Sequence, residues 1–130
     1  MALTKREMFD RVKAHLLKQN EKAMVETEDG IACRYRGPEG LTCAIGCLIP
    51  DDEYVGTFEG HPPASTETLL LHNDGKEIDF ASDIEIQIAL AAGITPETAD
   101  LALRLQYCHD IIPVEDWEKQ LNKIEQEEFF

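Results

Sequence analysis

Apolar residues recur at two different spacings along this 130-residue chain, and the change of spacing divides it into segments. Phe9, Val12 and Leu16, with Leu17 beside them, follow the three-to-four-residue period of one helix face. Thr4-Lys5-Arg6-Glu7 stands just ahead of them in the order of a capping box, a hydroxyl for the N3 amide and a glutamate reaching back. Together they predict a helix from about Lys5 to Lys18. Asn20 to Asp29 is polar, with Met24 and Val25 as a short strand. The period then shortens. Ile31–Tyr35 and Leu41–Ile45 flank Gly37-Pro38-Glu39-Gly40, where proline presets φ and glycine accepts positive φ. This pattern predicts a β-hairpin over about 31–46, with Cys33 and Cys43 roughly opposite each other.

Beyond Pro50 the helical period returns. Asp51–Tyr54 begins a short helix or turn, Glu59–Ser65 reads as loop, and Thr66–Leu71 as a short helix. Asn73–Lys76 is a turn signal, and Ile78–Phe80 reads as extended. Ser82-Asp83-Ile84-Glu85 is a second capping box, Ile84, Ile88 and Ala91 are its stripe, and Gly93 is placed to end that helix. Thr95-Pro96 supplies an N-cap and an N1 proline for Leu101, Leu105 and Cys108, before Ile112-Pro113 breaks the chain. Trp117, Leu121 and Ile124 mark a last helix that runs into a frayed acidic tail. The expected class is α+β: one small domain over 1–130, several helices around a short β-hairpin. No internal repeat or linker interrupts it.

Charge changes the picture more than composition does. Net charge is −14, yet residues 1–50 hold eight Lys/Arg against seven Asp/Glu. Residues 51–100 hold twelve acids and a single base, Lys76. Such a surface repels phosphate backbones and anionic membranes and attracts basic proteins. The acids Asp51, Asp52, Glu53, Glu59, Asp74, Glu77, Asp79, Asp83 and Glu85 are the expected binding surface. No apolar run approaches the roughly 18–20 residues of a membrane span. Met1 to Glu7 lacks the apolar core of a signal peptide, which predicts a cytoplasmic protein with reduced cysteines.

Three of the four cysteines, Cys33, Cys43 and Cys47, fall within fifteen residues. With His109 they form the candidate zinc set, with Cys108 as an alternative ligand. Structural zinc favours paired short spacings, whereas here a C-x₃-C occurs once. On a strand Cys43 and Cys47 would stand about 13 Å apart unless the chain bends at Gly46. Buried free thiols are the preferred reading, and no cofactor is expected. Cys33, Cys43, His109 and Asp110 are the catalytic candidates if a thiol is a nucleophile. His109 would then have to meet one of Cys33, Cys43 and Cys47 in space. Arg36 is expected to clamp the hairpin by pairing with Asp51, Asp110 or another acid.

The string Cys33…Tyr35-Arg36-Gly37-Pro38…Gly40-Leu41…Cys43-Ala44-Ile45-Gly46…Leu48-Ile49-Pro50-Asp51…Tyr54 resembles a family of small proteins of tailed phages and prophages, with no established activity. The likeness extends to Phe9…Val12…His15-Leu16, to Glu59-Gly60, and to Leu105-Gln106…His109-Asp110…Trp117. Residues 61–80 fall outside it and read as an inserted loop region. The resemblance implies a phage-encoded protein in the host cytoplasm, acting on the host or its defences. The expected function is therefore an acidic interaction protein, more a binder than an enzyme. It would bind and inhibit a host nucleic-acid-binding or defence protein with a basic surface, without direct nucleic-acid or membrane contact. Two other classes stay open: a Cys/His-dependent hydrolase or transferase, and a sponge for a small nucleotide, with Arg34, Arg36 and Arg104 as its cations.

Overall fold

The computed structural model describes residues 2–27 and 30–130. Among the described residues the chain forms five α-helices and one two-stranded antiparallel ribbon. The helices are α1 (Lys5–Gln19), α2 (Thr66–Asn73), α3 (Phe80–Ala91), α4 (Ala99–Ile111) and α5 (Trp117–Phe129); the strands are β1 (Met24–Thr27) and β2 (Gly30–Cys33). Helix α1 starts where its capping box predicts. The Thr4 side chain accepts from the Glu7 amide at 3.1 Å, and Glu7 accepts from the Thr4 amide at 3.0 Å.

The core lies where α1, α4 and α5 meet the short 3₁₀ turn Gly46–Leu48. Met8, Phe9, Val12 and Leu16 from α1, Leu101 and Leu105 from α4, and Trp117, Leu121 and Ile124 from α5 are fully buried there. Each large apolar side chain withdrawn from water contributes about 1.5–3 kcal/mol. The chain after Trp117 is not frayed. Phe129 packs edge-on against Phe9 with ring centroids 5.7 Å apart, and Arg104 pairs with both Glu127 and Glu128.

The expected hairpin over 31–46 is not there. The ribbon lies one step earlier, Met24 pairing with Cys33 and Val25 with Ala32, so Cys33 faces Met24 rather than Cys43. The reason is visible in the backbone donors that a second ladder would have used. Arg34 donates to the Ala23 carbonyl at 2.8 Å. Tyr35 and Arg36 donate to the two carboxylate oxygens of Glu59 at 2.9 and 3.0 Å. On the other arm, Thr42 donates to the Gln19 side chain and Ile45 to the Gln106 side chain, each at 3.0 Å. Side chains distant in sequence thus satisfy amides that buried backbone must otherwise pair. The Gly37 amide donates to the Leu41 carbonyl at 2.7 Å and the Leu41 amide to the Pro38 carbonyl at 3.1 Å, closing the loop around a left-handed pair, Glu39 (φ 58°) and Gly40 (φ 79°). The fold is therefore mainly helical, with a small ribbon at its edge.

Two helix starts shift as well. Asp79, not Ser82, caps α3, accepting from the Ser82 amide at 2.7 Å, so Phe80 is helical rather than extended. Thr95-Pro96 forms a turn instead of a cap: the Thr95 amide donates to Thr98 Oγ1 at 2.9 Å, and α4 begins at Ala99. Residues 61–80 carry α2 and bury Ala64 and Leu69 in the core, so this segment is more than a loop.

Candidate functional site

Strand β2 ends at Cys33 against the last turn of α4, which brings Cys33, His109 and Asp110 together. Their donor atoms lie within 4.8 Å of one another. His109 is fully buried and stacks on Trp117 with centroids 5.7 Å apart. Its Nε2 accepts from the Ala23 amide at 3.0 Å, so Nε2 carries no proton. The proton is on Nδ1, which donates to Asp110 Oδ1 at 2.7 Å. Asp110 also accepts from Gln106 Nε2 at 2.7 Å and from the Cys33 thiol. Burial works to raise the Asp110 carboxyl, but these hydrogen bonds and the His109 ring outweigh it and hold it below the ordinary carboxylate range. Gln106 is committed at both ends, its Oε1 accepting from Ile45. Lys22 Nζ donates to the Asp110 carbonyl at 3.2 Å.

This constellation joins four stretches of chain: the approach to β1 at Ala23, the end of β2, the loop at Ile45, and α4. As nucleophilic chemistry it is quiet. Burial pushes the Cys33 thiol up to about 12, and the neighbouring Asp110 carboxylate reinforces the shift. A reactive thiol needs the opposite, a lowered value and a base with a free lone pair. Neither His109 nitrogen offers one. Cys43 and Cys47 are raised to about 12 and Cys108 to about 11, each chiefly by burial. All four cysteines are free.

The metal candidates divide. Cys33 and His109 share the cluster with Asp110, whereas Cys43 and Cys47 lie outside it. Cys47 donates its backbone N–H to the Cys43 carbonyl at 3.0 Å, so the two stand one helical turn apart, not on an extended strand. Their sulfurs are used locally: Cys43 accepts from the Gly46 amide and Cys47 donates to the Ala44 carbonyl. For zinc to take His109 Nδ1, the ring proton must move to Nε2, where the Ala23 N–H already points. The donor set suits zinc, but its tautomer does not without breaking that bond.

Arg36 sits beside the same loop. Its guanidinium donates to the carbonyls of Gly46 at 2.6 Å and Ile49 at 2.7 Å, and to Asp51 Oδ1 at 3.1 Å. It also lies 4.9 Å from the centre of the Tyr54 ring. Asp110 is not among its partners. Glu59, grouped with the surface acids by sequence, turns inward: it holds the Tyr35 and Arg36 amides and accepts the Tyr54 hydroxyl at 2.7 Å. Glu85 is half-buried, while Asp51, Asp52, Glu53, Asp74, Glu77, Asp79 and Asp83 are exposed. Among the described residues only Asp51 of these seven has an ion pair.

Above the cluster opens a cleft of about 520 Å³. Cys33, Cys43 and Asp110 line its inner part; Leu103, Tyr107 and Ile111 of α4 form one wall. Arg34, Tyr35 and the segment Gly60–Pro63 complete it. The Tyr35 hydroxyl donates to the His61 carbonyl at 2.5 Å, fixing that segment. The sequence pattern held a signal for this wall, since Leu103, Tyr107 and Ile111 recur four residues apart opposite the core stripe of α4.

No family model, curated protein or solved structure matches this chain. Among the described residues no helix is long and apolar enough to cross a membrane.

Proposed function

We propose that this chain is a non-enzymatic interaction protein whose acidic surface engages a partner with a basic surface. The observation that carries the reading is the exposure of Asp52, Glu53, Asp74, Glu77, Asp79 and Asp83 without an ion pair among the described residues. Carboxylates left unneutralised in water keep their field and steer a basic partner toward the surface. The committed ring nitrogens of His109 and the raised thiols weigh against the Cys/His hydrolase or transferase. The nucleotide sponge loses two of its three cations, because Arg36 is taken by carbonyls and Asp51, and Arg104 by Glu127 and Glu128. The resemblance to phage and prophage proteins makes a host nucleic-acid-binding or defence component the proposed partner, and inhibition the proposed outcome.

The test is capture from bacterial host lysate by two baits, the wild type and a variant carrying Asp52→Asn, Glu53→Gln, Asp74→Asn, Glu77→Gln and Asp83→Asn. Asp79 is kept because it caps α3. The wild type should retain a basic protein at about 0.1 M salt and release it by about 0.5 M, where screening shortens to a few ångströms. The variant should not retain it. Equal retention by both baits, or a complex indifferent to salt, contradicts the proposal.

A further inference from the structure

The cleft over the Cys33–Asp110 cluster is independent of the acidic surface and has the make-up of a small-molecule site. Its volume, about 520 Å³, falls within the range of roughly 300–1,000 Å³ typical of such sites. Its α4 wall is an apolar stripe that the chain leaves uncovered: Leu103 is 42 %, Tyr107 54 % and Ile111 59 % exposed. Three large apolar side chains in a row beside a concavity mark a place where something else is buried.

The polar groups narrow what that is. Arg34 is the one Lys or Arg in the lining. Its Nε is buried and has no hydrogen-bond acceptor among the described residues. The nearest carboxylate oxygen, Glu59 Oε1, is 3.9 Å away and already accepts the Tyr35 amide at 2.9 Å. That buried N–H is unpaired, while the Arg34 side chain as a whole is 42 % exposed, so its guanidinium can meet an oxygen brought by a ligand in a charge-assisted hydrogen bond. Two of the other polar groups in the lining are spoken for. Gln106 is bonded at both ends, and the Tyr35 hydroxyl is held by the His61 carbonyl. Charge sets the upper limit. One guanidinium, already facing Glu59 and sharing the cleft with Asp110, accommodates a single negative charge. A di- or triphosphate would set its further charges against two carboxylates.

We propose that this cleft binds an aromatic monocarboxylate, its ring against the Leu103–Tyr107–Ile111 wall and its carboxylate on Arg34. Binding needs no covalent step and leaves the Cys33–His109–Asp110 joint intact.

The test is an NMR titration of the full chain with matched probes that share one aromatic body. Indole-3-acetate, phenylacetate and naphthoate are compared with their primary amides and with the corresponding amines. ADP is the polyphosphate arm, and peptides ending in a free C-terminal Phe or Trp separate a terminal carboxylate from a free acid. The carboxylates should bind saturably, with shifts centred on Tyr35, His61, Gln106 and Tyr107. They should bind roughly tenfold more tightly than the amides, the size of one charged hydrogen bond. Arg34→Gln should abolish that preference, and Tyr107→Ala should weaken carboxylates and amides alike. Arg34 and Tyr107 are both surface-accessible, so both variants should keep the wild-type melting curve. Four results overturn the proposal: no saturable binding by any carboxylate, equal binding of carboxylates and amides, a preference that survives Arg34→Gln, or tighter binding of ADP. Equal binding of carboxylates and amides would make the cleft a socket for a neutral apolar group, such as a partner's side chain.

Discussion

Replacing Arg36 should destabilise the protein far more than its visible ion pair suggests. The guanidinium makes two short charge-assisted hydrogen bonds, to the Gly46 carbonyl at 2.6 Å and the Ile49 carbonyl at 2.7 Å. Bonds of that kind contribute about 1.5–3 kcal/mol each. The contact with Tyr54, 4.9 Å from the ring centre, adds about 0.5–1 kcal/mol. The pair with Asp51 adds little, because the Asp51 side chain is fully exposed and water screens it. Groups that share one side chain do not sum, so about 3–4 kcal/mol is the expected loss for Arg36→Ala. With a urea dependence near 2 kcal/mol per molar, that moves the unfolding midpoint down by about 1.5–2 M. Arg36→Lys keeps the charge but not the fork, and should lose about half as much. Asp51→Asn should leave the midpoint where it is. Urea titrations of the three variants, followed by Trp117 fluorescence, decide the matter. A loss below about 1 kcal/mol for Arg36→Ala would refute the carbonyl clamp. So would an Asp51→Asn midpoint as low as that of Arg36→Ala.

Three further outcomes follow from the same geometry. A Cβ at Gly46 would lie 2.3 Å from the Tyr35 carbonyl oxygen, so Gly46→Ala should cost more than about 3 kcal/mol or prevent folding, and an unchanged thermal melt would contradict this close approach. The Asp110 carboxyl is depressed in the folded state, so its contribution is present above its unfolded value and lost as pH falls through the folded one. Asp110→Asn should therefore be less stable than the wild type near neutrality, and the gap should narrow as pH drops below about 4; a constant gap from pH 7 to 2 argues against the linkage. With Cys33, Cys43 and Cys47 raised to about 12, alkylation of the native protein at neutral pH should be on the order of a hundredfold to a thousandfold slower than of a free thiol, and mass spectrometry finding one thiol labelled at the free rate would restore a nucleophile.

Local signals in the chain reported the structure well where local partners made it. The Thr4–Glu7 capping box, the left-handed Gly93 after α3 and the Trp117–Leu121–Ile124 stripe of α5 all stand where the chain's local pattern puts them. The misplaced hairpin shows the opposite case. Its two arms have strand-like composition, yet their amides are taken by Glu59, Gln19 and Gln106, between 23 and 61 residues away. No local pattern announces such partners. The starts of α3 and α4 shifted because each offers two competing caps, Asp79 with Ser82 and Thr95 with Thr98. At the site, the chemistry of Cys33, His109 and Asp110 was legible as residue types, but not the Ala23 amide on His109 Nε2 that turns it into a joint.

That amide offers the sharpest check on the central idea, that the Cys33–His109–Asp110 cluster is a structural joint and not a reaction or metal centre. Long-range ¹H–¹⁵N correlation on the native protein reads the protonation of each His109 ring nitrogen directly. The proton should be on Nδ1, facing Asp110, with Nε2 bare and accepting from Ala23. A proton on Nε2, with Nδ1 free to take a thiol proton or a zinc ion, would contradict it.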